Sequence, residues 1–429
     1  MSRINTVTMI EEFLHYLWRF RLLDPKLETV AGEPVTVIQP GEHNRDAGPD
    51  FINARVRIGS TTWAGNVEIH VQASDWYRHG HQEDPAYENV VLHVVMNNDL
   101  KGKERELLKI PQVEIRDRFP LSIYERYEYF LNNHQRIPCE NLIRGLDPFV
   151  FGHWADALVS ERLEGKCLRF RRSLESSRFD WDETFYRQLA YAFGFRINSL
   201  AFEQLARSLP YRLLLRHQGN LFQLEALVFG QAGLLDQAFT GEYPRLLSQE
   251  YHFLRQKYSL TPVNPTLWKF LRLRPSNFPT LRLAQFAGLL HRTGKLLDTF
   301  LQADNAATLA EMLMVQASEY WNDHYIFDRD SPHRHKLLGL SSVHLLILNL
   351  VAPFLFYYGE EKGIEPYKEK GLQLLGELPG ENNSVIALFR ELGLPVSQAS
   401  QTQALIQMKS RYCDRKKCLE CRIGKALLS

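Results

Sequence analysis

A chain of 429 residues, 45% hydrophobic and 24% charged, has the composition of a folded globular protein with more than one domain, which excludes a disordered or fibrous chain. Its formal net charge of +1 excludes a globally basic polyanion binder. Five cysteines, three of them crowded near the C-terminus, fit a reducing cytoplasm better than a secreted disulfide framework.

The opening MSRINTVTMIEEFLHYLWRF holds no uninterrupted apolar run and no small-residue cleavage site, so no signal peptide is expected. Ile10, Phe13, Leu14, Leu17 and Phe20 recur at helical spacing and predict an amphipathic helix, with Glu11 and Glu12 bordering its apolar stripe. PVTVIQPGEHN reads as a short strand ended by Pro-Gly. In FINARVRIG, Ile52, Ala54, Val56 and Ile58 alternate with Asn53, Arg55 and Arg57, the period of a half-buried strand. Gly59-Ser60 turns it into a third strand, TTWAGNVEIHV. SDWYRHGHQEDPAYENV predicts a short helix and a loop, VVLHVVMNND a strand of a sheet interior, and LLKIPQVEI an edge strand.

After about residue 120 the pattern is helical and punctuated by prolines, among them Pro148, Pro210, Pro262, Pro279 and Pro353. The expected division is an α/β module over 1–120 and a helical domain over 121–429. The most apolar stretch, LLGLSSVHLLILNLVAPFLFYYG, is interrupted by Ser341, Ser342, His344, Asn349 and Pro353, which predicts a buried helix rather than a membrane span. Residues 252–274 carry Arg255, Lys257, Lys269, Arg272 and Arg274 without an acid, and Lys409–Lys425 is similarly basic; beside Trp268 and Phe270 such a stripe suits a phosphate backbone, so DNA or RNA is the candidate partner.

Strand residues two apart share a face, so Glu68 and His70 point together, and Asp50 can join them from the neighbouring strand. Two carboxylates form a partial shell for Mg²⁺ or Mn²⁺. His79 and His81, with Glu68 and His70, form a second candidate set suited to Zn²⁺, Mn²⁺ or iron. His93, inside an apolar run, reads as a core histidine. His324, His333, His335 and the aspartates around them read as a hydrated loop. No phosphate-binding P-loop, dinucleotide fingerprint, zincin or nucleophile-elbow motif occurs.

The order helix, three strands, helix, strand, with Pro49-Asp50 opening the second strand and Glu68-x-His70 on the third, resembles the PD-(D/E)XK nuclease-like superfamily. That resemblance implies a restriction-endonuclease-like αβββαβ module in an α+β protein. It further implies Asp50 and Glu68 as metal ligands, Glu11 or Glu12 completing the shell, and a lysine where His70 stands. As a general base, His70 would make cleavage rise with pH through its pKa. GPDF.NAR, W.GNVEIHV..SDW..H.H..DPAY.NV.LHVV and QALIQMKSRYCDRKKCLECRIG also resemble an uncharacterised bacterial family, the domain of unknown function 2851. This second resemblance, running along the whole chain, implies a shared architecture and no particular activity.

Cys413, Cys418 and Cys421 have a spacing able to converge on Zn²⁺ or an iron–sulfur cluster, with Cys139 as the expected fourth ligand and Cys167 the next choice. The preferred activity is metal-dependent hydrolysis of phosphodiesters in DNA or RNA. Two alternatives stand beside it: a catalytically inactive nucleic-acid-binding or scaffold protein, and a non-nuclease metal hydrolase using Glu68, His70, His79 and His81.

Overall fold

The computed structural model describes residues 10–44, 46–102, 104, 107–394 and 396–428. The opening residues 1–9, on which part of the leader expectation rests, lie outside them. The chain forms two compact units, one of Met1–Val150 with Ser410–Ser429, the other of Phe151–Lys409. A mixed α/β region is thus followed by a large helical one. The first unit runs past residue 120 and takes in the C-terminal tail.

In the first unit, helix α1 (Glu11–Arg19) has two acids in its first turn and an arginine in its last, both favourable to the helix dipole. It buries Phe13, Leu14, Tyr16, Leu17 and Trp18, each such side chain contributing roughly 1.5–3 kcal/mol. Ile10 and Phe20, expected on that stripe, are exposed. A seven-stranded sheet follows: β1 (Leu27–Glu28), β2 (Pro34–Gln39), β3 (Glu42–His43), β4 (Phe51–Ile58), β5 (Thr61–Gln72), β6 (Val90–Asn97) and β7 (Gln112–Glu114). β2, β4 and β5 pair antiparallel, whereas β5, β6 and β7 pair parallel. The segment joining β5 to β6 contains the short helix α2 (Asp75–Arg78) and two single 3₁₀ turns. Helix α3 (Leu121–Asn132) then meets the tail, where Arg126 Nη1 donates to the Leu427 carbonyl at 3.2 Å and Lys416 Nζ donates to that of Leu131.

One detail of β4 departs from the alternation expected of it. Ala54, Val56 and Ile58 are buried as predicted, but so is Phe51, while Ile52 is only half-buried. The register against β5 shifts between Phe51 and Ala54, and Asn53 sits at φ +57°. This is a β-bulge with its extra residue in the left-handed region, which asparagine tolerates better than most residues. Phe51 pairs with Val67, so on that side of the bulge the core-facing set is odd-numbered. Asp50 therefore falls on the opposite face, the face of Glu68 and His70. Without the bulge, strict alternation from Ala54 would send it into the core.

The second unit is helical, apart from a two-stranded hairpin of His324–Ile326 and Arg329–Asp330. That hairpin replaces part of the expected hydrated loop, with His324 and His333 paired to Asp330 at 3.2 Å and Asp323 at 2.8 Å. Among its helices are α4 (Pro148–Ser176), α5 (Trp181–Phe193), α6 (Ser199–Ser208) and α7 (Leu340–Lys362). α7 is long and apolar enough to cross a membrane, but 67% of its most apolar window is buried inside the protein. Its middle widens into a π-turn at Ile347–Val351, ahead of Pro353. Proline has no N–H to offer, and a wider turn absorbs that loss without breaking the helix. Trp268 packs edge-on against Phe202 in the core and donates its indole N–H to the Ala232 carbonyl at 2.8 Å. Trp268 is thus a core residue beside the basic stripe.

Candidate metal centre

The polar face of β4 and β5 gathers most of the residues singled out above. The Asp50 N–H donates to Glu68 Oε2 at 3.1 Å, and the Ile69 N–H donates to Asp50 Oδ2 at 3.0 Å. Glu68 Oε1 lies 3.3 Å from both His70 Nε2 and His81 Nε2. Asp50 Oδ2 lies 3.2 Å from His15 Nε2, which in turn is 3.9 Å from Glu11 Oε1. Among the described residues, two sets can each bring three ligand atoms within 4.8 Å of one another: His70, His79 and His81, and Glu11, His15 and Asp50.

Two nitrogens distinguish this cluster from an ordinary ion-pair network. His15 Nε2 and His81 Nε2 are buried, and neither makes a hydrogen bond. Each stands 3.2–3.3 Å from a carboxylate oxygen but out of hydrogen-bonding geometry. Donors held about 2.0–2.2 Å from one ion sit roughly 3.0–3.5 Å apart, so these spacings are those of neighbouring ligands. A buried polar nitrogen without a partner costs on the order of 1–3 kcal/mol, which a bound cation removes.

The electrostatics point the same way. Burial, then the charge of Asp50, raises the Glu68 carboxyl to about 9, against the pull of the Asp50 N–H. Burial and Asp50 likewise lift Glu11 to about 7. Burial, reinforced by His93, His81 and His79, drives His70 down to about 2. Crowded carboxyls that resist ionising and imidazoles that resist protonation are both relieved by a divalent cation.

His70 was expected as base or third ligand, and its surroundings bear on that choice: burial, with His93, His81 and His79 around it, favours the neutral imidazole, the form that both roles need. Its Nδ1 is also engaged, 2.9 Å from His93 Nε2, and His93 Nδ1 lies 3.0 Å from Gln112 Nε2. His70 is thus oriented by a buried chain of side chains that runs through His93 to Gln112. His93 is fully buried, as its apolar surroundings suggested, and carries this relay.

α1 resolves the choice between its two acids. Glu11 and His15, one turn apart, project to the site, while Glu12 is exposed and lines an adjoining hollow that His15, Tyr16 and Lys417 also border. His15 escaped the sequence reading because it sits inside the apolar run FLHYLW; its spacing from Glu11 was the available signal. His79 and His81 come from the segment after α2, where the His81 ring stacks on Tyr87 with centroids 3.8 Å apart.

The cysteine expectation is corrected too. No three-ligand group among the described residues includes Cys139, Cys413, Cys418 or Cys421, so the expected Zn²⁺ or iron–sulfur centre is not assembled there. Cys139, Cys418 and Cys421 are buried, and burial pushes their thiols up to about 12, 12 and 11. They behave as small apolar side chains, Cys421 Sγ accepting the Gly424 N–H at 3.4 Å. Cys413 ends a π-turn at Lys409–Cys413 and is half-exposed.

Comparison with curated proteins and with solved structures gives no match. The family described as protein of unknown function (DUF2851) matches residues 11–384, a span that begins at Glu11, holds every residue of both ligand groups and stops short of the cysteine-rich tail. The chain belongs to that family.

Proposed function

We propose that the N-terminal unit is a divalent-metal-dependent phosphodiesterase acting on nucleic acid. The observation that carries this reading is the pair of adjoining ligand groups with their two buried, unbonded imidazole nitrogens. The nitrogen-rich set, His70, His79 and His81 beside Glu68, suits Zn²⁺, Mn²⁺ or iron; Glu11, His15 and Asp50 suit Mg²⁺ or Mn²⁺. Divalent ions, when bound, supply polarisation of a phosphoryl oxygen and a lowered pKa for the attacking water.

The protein's own part is orientation. Glu68 reaches His70 and His81 with one oxygen and the Asp50 backbone with the other, tying the two groups together. For His70 Nε2 to present its lone pair, Nδ1 must carry the proton and donate it to His93 Nε2. His93 Nδ1–H then donates to Gln112, whose amide oxygen must face it. As placed, Gln112 turns its Nε2 to His93 Nδ1, which puts a proton on His70 Nε2, against Glu68; the ligand form of His70 has the amide turned over. Gln112 therefore sets the tautomer of a ligand two side chains away.

The nucleic-acid substrate is supported by the resemblance to the PD-(D/E)XK superfamily. α1 precedes the antiparallel β2, β4 and β5, and α2 leads into the parallel β6. Asp50 and Glu68 stand at the two acidic positions of that motif. This reading takes the protein as cytoplasmic, with DNA or RNA as partner. A hydrolase of small phosphate esters is the second reading, favoured by a ligand set richer in histidine than the motif requires.

The test is metal analysis of the purified protein, followed by assays on single- and double-stranded DNA and RNA and on mono- and diester phosphates under Mg²⁺, Mn²⁺ and Zn²⁺. Cleavage of nucleic acid that disappears in Asp50→Ala is expected. Turnover of monoesters alone would support the second reading. Metal-free, inactive wild-type protein that gains no stability from added ions would overturn both.

A further inference from the structure

The helical unit holds a solvent-open cavity of about 610 Å³, within the usual size range of small-molecule sites. Its walls carry Arg162, Lys166 and Arg169, one face of α4 by their spacing of four and three residues, and Arg196 from the turn joining α5 to α6. No acidic residue lines it among the described residues. From outside the hollow Glu381 offsets Lys166, and Glu203 offsets Arg169, only in part, so an anion entering it relieves the remaining repulsion.

Three features show that these cations are held in place. The Arg169 guanidinium lies over the Tyr191 ring, 3.0 Å from its centroid, yet its Nη2 is buried without a hydrogen-bond partner. Lys166 Nζ donates to the Leu348 carbonyl at 3.3 Å and to Asn349 Oδ1 at 3.2 Å, both in the π-turn of α7. In that turn the i→i+5 partner of Leu348 is Pro353, which has no N–H, so the lysine takes a carbonyl the helix leaves open. Arg196 and Phe195 both sit at positive φ, +72° and +42°. Their turn is fixed by the Arg196 N–H on Ser199 Oγ at 3.0 Å and by the Arg282 guanidinium over the Phe195 ring at 4.3 Å. Non-glycine residues persist in that region only where their surroundings hold them. Burial, with Arg162 adding to it, brings Lys166 down to about 7, and Glu381 only partly opposes this.

We infer that this cavity binds a small phosphorylated ligand with a flat aromatic body, a nucleoside monophosphate in class. The phosphate is met by the cations of α4 and by Arg196, and the aromatic body by the sides of Tyr191 and Phe195 that Arg169 and Arg282 leave uncovered. Planar guanidinium groups match phosphate geometry, and aromatic faces accept a base. The inference uses the helical unit alone and stands independently of any metal in the N-terminal unit.

Isothermal titration of the full chain with adenosine monophosphate, inorganic phosphate and adenosine tests it. The nucleotide is expected to bind, phosphate more weakly, and adenosine not measurably. Arg169→Gln and Arg196→Ala should each weaken nucleotide binding roughly tenfold or more with the melting temperature of the free protein unchanged. Arg196 is exposed, so its variant keeps the test valid if Arg169→Gln fails to fold. No binding of nucleotide or phosphate by the wild type up to about 1 mM would overturn the inference. So would adenosine binding as well as its monophosphate, unchanged binding in the folded variants, or Arg196-dependent binding confined to oligonucleotides.

Discussion

Glu68 in the first unit and Glu225 in the second are both buried carboxyls held above the ordinary range, to about 9 and about 7, with burial the main cause in each. Their surroundings differ. Glu225 accepts hydrogen bonds from Tyr243 Oη at 2.5 Å and Ser318 Oγ at 2.8 Å, so each oxygen has a neutral donor. Around Glu68 stand histidines and further carboxylates, and the nearest nitrogen of His81 is buried without a hydrogen bond. Trp321 Nε1 beside Glu225 is also buried without a hydrogen bond, but an indole N–H is a donor only, whereas an imidazole nitrogen has a lone pair to offer a cation. Burial alone does not separate the two cases.

The sharpest way to break this comparison is to remove ligands from the first unit. Glu68→Gln and His81→Ala should each lower metal affinity by more than the roughly 10–100-fold typical of losing an outer partner, read by metal analysis after dialysis. Added Mn²⁺ or Zn²⁺ should raise the wild-type melting temperature, the gain reaching about 2.7 kcal/mol at a hundredfold excess over Kd, and should leave Glu68→Gln unmoved. Glu225→Gln should respond to metal as the wild type does. An equal response in all three would erase the distinction.

Gln112→Ala removes no ligand and tests the relay. We expect a loss of about 10–100-fold in metal affinity with the fold retained, measured by competition with a chelator. Full affinity would mean that His70 needs no oriented tautomer.

A third effect belongs to Glu225 and depends on pH. Its folded pKa of about 7 lies above the ordinary 4.5 of a glutamate carboxyl, so the folded state binds the proton more tightly. Its contribution is full below about 4.5, falls as pH rises towards 7 and is constant beyond. Glu225→Gln stays neutral, so its stability relative to the wild type should climb between pH 5 and 7 by up to about 1.4 kcal/mol per unit and then level off. Chemical denaturation across that range checks the sign; a flat difference would refute the buried, proton-holding carboxyl.

The smallest expected effects lie at the β4 bulge. Asn53→Gly suits φ +57° and should change stability by only a few tenths of a kcal/mol. Asn53→Val forces a β-branched residue into the left-handed region, costing about 1–2 kcal/mol. If it instead relaxes the bulge, Asp50 leaves the face of Glu68 and metal affinity falls with it. Thermal melts and metal titration of the two variants separate these results.

The sequence by itself determined the elements and their order, because periodicity and turn chemistry are local: α1, β2, β4, β5, β6 and the helical second half stand where the pattern places them. It also determined that Glu68 and His70 share a face, since residues two apart on a strand must. Only the tertiary structure decided that Asp50 joins them, because a one-residue bulge reverses the facing of everything before it. It likewise set Glu11 rather than Glu12 in a group of three candidate ligands, brought in His15, and favoured the neutral form of His70 by burying it against other imidazoles. The cysteines show the opposite case: a suggestive spacing along the chain, with Cys139, Cys418 and Cys421 buried, Cys413 half-exposed and no ligand group among the described residues including them. Spacing sets which groups are able to meet; burial, register and charge, which are properties of neighbours distant in sequence, decide which of them do.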